Sequence, residues 1–206
     1  MVNFYDTRIG NYWRRFKYDR VFKNLSAGEL AIDCGANVGR VTEKMARSGV
    51  MVYAFEPDPH AFELLRERMA GKPNVVLFNQ AVSDHDGTEK IFFNNRYNED
   101  PGKWSTATTL LLDKPNVDVE NYTMVEVIDL ARFVSKLDRP IGLLKMDIEG
   151  EEIKVLNKLI DLGLVQKIRK ILVETHERFP SLKQSTEALR RKIKEHGLKN
   201  IDLDWA

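Results

Sequence analysis

Residues 29–39, Glu-Leu-Ala-Ile-Asp-Cys-Gly-Ala-Asn-Val-Gly, run an apolar segment straight into a turn bracketed by two glycines. The unbroken apolar run reads as a strand buried on both faces. Gly35 and Gly39 tolerate positive φ and let the backbone approach a ligand closely. A helical pattern follows over 38–48, with Val41 and Met45 four apart and Gly49 as its stop. The first turn of such a helix offers free N–H groups and partial positive charge, where a carboxylate or other anion can settle.

The alternation then repeats. Residues 50–55 read as a second strand, 59–70 as a helix with Phe62, Leu65 and Met69 on one face, and 75–78 as a third strand. A βαβαβ order predicts a doubly wound, mostly parallel α/β sheet with helices on both faces and right-handed crossovers. Asp84-His85-Asp86-Gly87 is a turn signal, and 88–93 reads as a strand returning antiparallel. Residues 94–121 are polar and turn-rich, with Pro101, Gly102 and Pro115, and are long for a plain connection. They read as a substrate-facing loop carrying Tyr97 and Trp104. Beyond it come a short strand at 123–127, a helix at 129–137, a fourth core strand at 141–147 and its helix at 151–162. A fifth strand at 170–174, a helix at 185–196 stopped by Gly197, and a last strand at 198–203 complete the pattern.

Length and composition fit one globular domain: 206 residues, 43% hydrophobic and 31% charged. The expected division is a helical segment at 1–28, packing Tyr12, Phe16 and Val21, followed by the main domain at 29–206. A formal net charge of +1 gives no reason to expect a nucleic-acid partner. The single cysteine, Cys34, excludes an internal disulfide framework and reads as a small packing residue. No apolar run approaches the length of a membrane span and no signal-peptide core is present, so a cytoplasmic location is expected.

A dinucleotide-binding turn reads Gly-x-Gly-x-x-Gly and leaves room for a pyrophosphate. This turn reads Asp33-x-Gly35-x-Asn37-x-Gly39 instead. The strand-end carboxylate repels a pyrophosphate, and the pattern suits a cationic, amino-acid-like ligand such as S-adenosylmethionine (SAM). Asp33 would orient the amino end of that ligand through the loop. Glu56 closes the second strand 23 positions after Asp33, near the spacing of a ribose-binding acid, and can accept from both ribose hydroxyls.

Five blocks resemble the FkbM-type methyltransferases in order and spacing. They are Ile32-Asp33-Cys34-Gly35-Ala36-Asn37-Val38-Gly39, Val52-Tyr53-Ala54-Phe55-Glu56-Pro57, Asn79-Gln80-Ala81-Val82-Ser83-Asp84 with Gly87, Leu144-Lys145-Met146-Asp147-Ile148-Glu149-Gly150-Glu151-Glu152, and Ile171-Leu172-Val173-Glu174-Thr175-His176. Ser105 and Thr106 also resemble a serine-containing segment of that family. The resemblance implies a Rossmann-like class I methyltransferase sheet with core order 3-2-1-4-5. It implies SAM as cofactor, held by Asp33, Gly35, Asn37, Gly39, Glu56 and Ala81, and transfer to a hydroxyl of a saccharide or other small metabolite. It also brings Asp147, Glu149, Glu174 and His176 to the cofactor's methyl edge.

A hydroxyl acceptor must lose its proton as the new bond forms. His176 or Asp147 is expected to take it, with Glu174 as orienter or second candidate. The same side chains are of types that hold a divalent ion, but acids beside a cationic sulfonium are expected without one, so no metal is expected. Lys145 reads either as a substrate-binding cation or as the partner of a carboxylate in the site. An N-methyltransferase and a non-catalytic SAM-binding module are the alternative functions. Only Leu198 to Ala206 follow Gly197, so one strand of the antiparallel pair that ends many methyltransferase sheets is expected to be missing or displaced. The sequence carries no reading of the oligomeric state.

Overall fold

A computed structural model describes residues 18–94, Glu99 and 117–205. Strand β1 (Leu30–Cys34) and strand β7 (Ile141–Met146) are buried at every position, and each is apolar except for one charged residue, Asp33 and Lys145 respectively. They form the centre of a six-stranded sheet with β2 (Met51–Phe55), β3 (Val75–Phe78), β8 (Ile171–Val173) and β9 (Ile201–Asp202). The order is β3-β2-β1-β7-β8-β9, and every pairing in it is parallel. The predicted 3-2-1-4-5 core is therefore present, with β7 and β8 as its fourth and fifth members.

Helices α1 (Arg40–Ala46), α2 (Pro59–Arg68), α3 (Leu130–Ser135), α4 (Glu152–Asp161) and α5 (Pro180–Glu195) supply the crossovers and covers. Asp58 caps α2, its carboxylate accepting from the N–H groups of His60 and Ala61, with Pro59 at the first helical position where a missing N–H costs nothing. Asp129 caps α3 in the same way through Arg132 N–H.

Alternate residues of the central strands feed two cores. Ile32, Leu144, Ile171 and Val173 face α3 and α4, which contribute Leu130, Val134, Ile153, Leu156 and Leu159. Ala31, Val52, Leu143 and Leu172 face the other way, against Met45 and the N-terminal residues Tyr18, Phe22 and Leu25. Phe55 stacks on Phe78 at 4.6 Å and meets Phe133 edge-on at 5.2 Å, a geometry aromatic quadrupoles favour.

A second sheet of order β4-β6-β5 joins β4 (Ala81–Ser83), β5 (Gly87–Asn94) and β6 (Val117–Asp129). The β5–β6 pair is antiparallel as predicted, but β6 is far longer than the expected 123–127. Its first half alternates onto an exposed face carrying Tyr122 and Met124, which hides the strand in a pattern read for burial. Residues 117–121 of the predicted loop are thus strand, while 95–98 and 100–116, with Tyr97, Trp104, Ser105 and Thr106, lie outside the described residues.

Helix α5 starts at Pro180, before the predicted Ser185, because proline is well placed at a first helical position. The sheet ends on a short parallel strand, β9, with one antiparallel bridge between Glu174 and Asp204. No antiparallel pair is built there by the described residues.

Residues 18–23 are helical, consistent with the predicted amphipathic segment. Its buried residues are Tyr18, Phe22 and Leu25, with Val21 partly buried beside them; Tyr12 and Phe16 lie outside the described residues. The Tyr18 hydroxyl donates to the Asp204 carbonyl at 2.9 Å, and its ring meets Trp205 edge-on at 4.4 Å. This contact ties the start of the described chain to the segment that follows β9. Tyr18→Phe is expected to lower stability by about 1 kcal/mol, the net worth of one hydrogen bond, read from urea melts with unchanged slope.

Candidate active site

In an open parallel sheet, loops at the carboxyl ends of the strands form the crevice where ligands bind. Here four strand ends converge on it: β1 at Cys34, β2 at Phe55, β7 at Met146 and β8 at Val173.

The β1–α1 turn carries left-handed backbone at Gly35, Asn37 and Gly39. The glycines answer to the protein's own packing. A Cβ on Gly35 would stand 1.8 Å from the Asp147 carbonyl oxygen, and one on Gly39 would stand 2.6 Å from Leu65 Cδ1. The close approach that these glycines permit is made by Asp147 and Leu65 of the chain itself. The Asp147 N–H donates to the Cys34 carbonyl at 3.1 Å, so the turn and the β7 end are locked edge to edge.

Lys145 lies beneath this junction and is 3% exposed. Its ammonium donates to the Gly35 carbonyl at 2.6 Å and stands 3.3 Å from Asp33 Oδ1 and 3.8 Å from Asp147 Oδ2. Burial works against its charge, but the Asp33 and Asp147 carboxylates outweigh burial and hold its pKa above the ordinary value. Of the two readings of Lys145, the structure selects the carboxylate partner. Asp33 is wholly buried. Its Oδ2 accepts from the Thr42 hydroxyl at 2.7 Å, while its Oδ1 has only the longer ion-pair contact to Lys145 and no well-formed hydrogen bond.

Glu56 is buried at the end of β2. One oxygen accepts from the Asn37 N–H at 2.7 Å and the other from the Asp58 N–H at 2.9 Å. Burial pushes its carboxyl up to about 8 against the pull of those donors. Each oxygen retains acceptor capacity beyond its single backbone partner. Ala81 lies buried at the start of β4, and Asn79 donates its side-chain amide to the Glu56 and Pro57 carbonyls, tying the β3 exit to the same corner.

The β7 and β8 ends bring the predicted catalytic residues together. His176 is 1% exposed and Asp147 is 32% exposed, with 25% for Glu174 and 16% for Glu149. His176 Nδ1 donates to Glu152 Oε1 at 2.9 Å, since a carboxylate only accepts. Its Nε2 faces Glu149 Oε2 at 3.3 Å and Asp147 Oδ1 at 3.8 Å. Burial opposes the charged imidazole, yet hydrogen bonding to Glu149 and Glu152 prevails and pushes its pKa up to about 10. Burial, with Asp147 repulsion behind it, raises Glu174 to about 7. Asp147, Glu149 and His176 each offer a ligand atom within 4.8 Å of the others, which makes them the set able to hold a cation.

Glu152 is the site residue that sequence reasoning left without a role. Three glutamates crowd positions 149, 151 and 152, and only the backbone path separates them. Glu149 adopts φ 57 and Gly150 φ 118, turning the chain so that Glu152 accepts from the Gly150 N–H at 2.8 Å and grips His176. Glu151 points away, to the Ser83 hydroxyl at 2.6 Å and Lys154 at 2.7 Å, and so fastens the second sheet to the start of α4. His85 bridges exposed Asp84 and Glu89, apart from this cluster. A cavity of about 340 Å³ lined by Asp19, Phe22, Lys23, Lys44, Arg47 and Ser48 shares no residue with the carboxyl edge.

A family model described as the methyltransferase FkbM domain matches residues 33–199. The 31-O-demethyl-FK506 methyltransferase FkbM of Streptomyces tacrolimicus is 28% identical over 182 residues, covering 74% of this chain and 67% of that protein. The ribosomal RNA small subunit methyltransferase A of Thermotoga petrophila is 38% identical over 53 residues, covering 26% of this chain and only 20% of that protein. A solved methyltransferase FkbM from Methylobacillus flagellatus KT aligns with a TM-score of 0.49 at 15% identity, over 82% of this chain and 41% of that one.

Two outcomes follow from the packing of the turn. Gly35→Ala is expected to cost at least about 3 kcal/mol, because strain at positive φ adds to a backbone clash. Gly71→Ala, at positive φ but with nothing within 4 Å, is expected to cost only about 1 kcal/mol; paired denaturant melts compare them. Cys34 is fully buried, and burial pushes its thiol pKa up. It should therefore resist a thiol-specific chromogenic reagent in native buffer and react once urea unfolds the chain.

Proposed function

The chain belongs to the FkbM-domain methyltransferases, and from that membership we propose that it moves a methyl group from SAM to a hydroxyl oxygen of a sugar or other hydroxylated small metabolite. The observation that carries this reading is the junction of the β1–α1 turn with the β7 end, which sets Glu56 and the Asp147, Glu149 and Glu174 carboxylates along one edge of the sheet. Such a donor set suits SAM: its sulfonium and ammonium are cationic and its ribose hydroxyls donate. The N–H groups opening α1 complement its carboxylate. A dinucleotide pyrophosphate could use the same N–H groups but would be repelled by the carboxylates of that edge. When bound, SAM supplies an activated methyl group for in-line displacement.

The chain's own contribution is positioning and proton removal. Glu56 accepts from ribose hydroxyls while its backbone partners hold it in place. Lys145 and Asp33 keep the turn in register with β7, so the acceptor side of the edge is fixed relative to the cofactor side. Asp147 and Glu174 are the carboxylates open enough to reach an acceptor hydroxyl. His176, shut from solvent and gripped by Glu152, serves by fixing the acids around it. Oxygen as the accepting atom is supported by the Streptomyces relative, which is named for a 31-O-demethyl acceptor.

Calorimetric titration with SAM is expected to give saturable binding that Glu56→Gln weakens at least about tenfold, the worth of one charge-assisted hydrogen bond. NAD in the same cell should bind far more weakly; the reverse preference would overturn the reading. In a screen of hydroxylated acceptors, Glu174→Gln or Asp147→Asn is expected to lower kcat about a hundredfold with SAM affinity retained.

A further inference from the structure

We infer that Asp147, Glu149 and His176 form a divalent-cation site, with Glu152 as the residue that orients its imidazole. Glu152 is wholly buried and takes the Nδ1 proton at 2.9 Å while its other oxygen accepts from the Gly150 N–H at 2.8 Å. The ring can neither turn nor present Nδ1 elsewhere, so Nε2 is directed at the two remaining carboxylates. A buried carboxylate behind a histidine in this way is the usual outer support of a metal-bound imidazole.

The contacts on the two sides of the ring differ, and the looser Nε2 side has the spacing that a cation imposes. A charge-assisted N–H···O contact closes to about 2.7–2.9 Å, as the Glu152 side does. On the other side Nε2 stands 3.3 Å from Glu149 Oε2 and 3.8 Å from Asp147 Oδ1. An ion about 2.1 Å from each ligand holds neighbouring ligand atoms about 3.0 to 3.4 Å apart. The Glu149 contact already matches, and a small rotation of the partly exposed Asp147 side chain brings in the other. The backbone is shaped for this arrangement too: Glu149 carries φ 57, a conformation unfavourable for a residue with a Cβ, and it is this residue whose carboxylate meets Nε2.

One imidazole with two carboxylates and open positions suits a borderline-hard divalent ion of the Mn²⁺ class. Its role rests on the methyltransferase reading: the ion takes the acceptor oxygen at an open position and lowers its proton affinity. The released proton passes to Glu174, the oxygen's electron pair forms the bond to the transferred methyl, and the methyl–sulfur bond of SAM breaks, its electron pair returning to sulfur as the neutral thioether leaves. Asp147 then serves as a ligand, which separates the two proton-acceptor candidates.

Binding is measured without cofactor or acceptor. Mn²⁺ is titrated into the chelator-treated whole protein, and loss of the six-line signal of free Mn²⁺ is followed by electron paramagnetic resonance. The expected result is one saturable site that Glu149→Gln and His176→Asn each weaken at least about tenfold. Glu177→Gln, an exposed acid paired with Arg190, leaves it unchanged. Glu149→Gln guards against a folding defect in the buried-histidine variant, and thermal melts accompany both. Absence of a saturable site, or equal weakening by Glu177→Gln, overturns the proposal. SAM binding measured in the same preparation stands or falls separately, so failure of the ion site is distinguishable from failure of the methyltransferase reading.

Discussion

The buried ammonium of Lys145 is the contact on which the working edge depends. It reaches the Gly35 carbonyl and faces the Asp33 and Asp147 carboxylates, three groups belonging to two neighbouring strands and the turn between strand and helix. A charge removed from water is costly, and its neighbours repay that cost only while all are present. Asp33 is wholly buried and meets Thr42 on its other oxygen, so Lys145 is its counter-charge. The missing Cβ of Gly35 makes the arrangement sterically possible, because the β7 carbonyl occupies that space. Packing, charge and backbone conformation therefore agree at one point, and the crevice inherits its geometry from it.

From that junction the acids spread outward with rising exposure. Asp33 and Glu152 are sealed, Glu56 nearly so, and Glu149, Glu174 and Asp147 open progressively to solvent. The sealed members are bound by fixed donors and act on the others, while the open ones face the crevice. Parallel strands make this gradient natural: successive residues leaving one strand end step from the dry interior of the sheet to its rim. The second sheet is fastened to the same rim through Ser83 and Glu151, and through Lys158, which pairs with Asp129 at 2.8 Å. It is thus held at a set distance from the β7–α4 turn.

Much of this was legible in the residues. The mostly apolar runs at 30–34 and 141–146 announced buried strands, the alternation of runs and amphipathic stretches announced a doubly wound parallel sheet, and the family resemblance supplied the order of its core. Asp147, Glu174 and His176 were readable as neighbours from the strand order that the family resemblance implies, because adjacent parallel strands end side by side. Less was legible where a pattern has two physical causes. The alternation at the start of β6 places Tyr122 and Met124 on an exposed face, so hydrophobicity there did not mark burial. The helix read over 185–196 begins at Pro180, five residues earlier. The glycines of the turn suggested access for a ligand, and the structure shows them yielding space to Asp147 and Leu65.

The sequence by itself determined the class of fold and the chemical character of the edge, because period, composition and glycine placement act locally, while the order of the core strands was carried by the family resemblance. Tertiary structure decided the roles. Whether Lys145 met a ligand or a carboxylate, and which of Glu149, Glu151 and Glu152 gripped His176, depended on left-handed turns at Glu149 and Gly150 and on the approach of one strand end to another. Those are matters of direction and distance between segments far apart in the chain. Burial then set the charge behaviour of Glu56 and Glu174, and carboxylate partners that of His176, since the cost of a charge depends on the water and partners that the completed fold leaves around it.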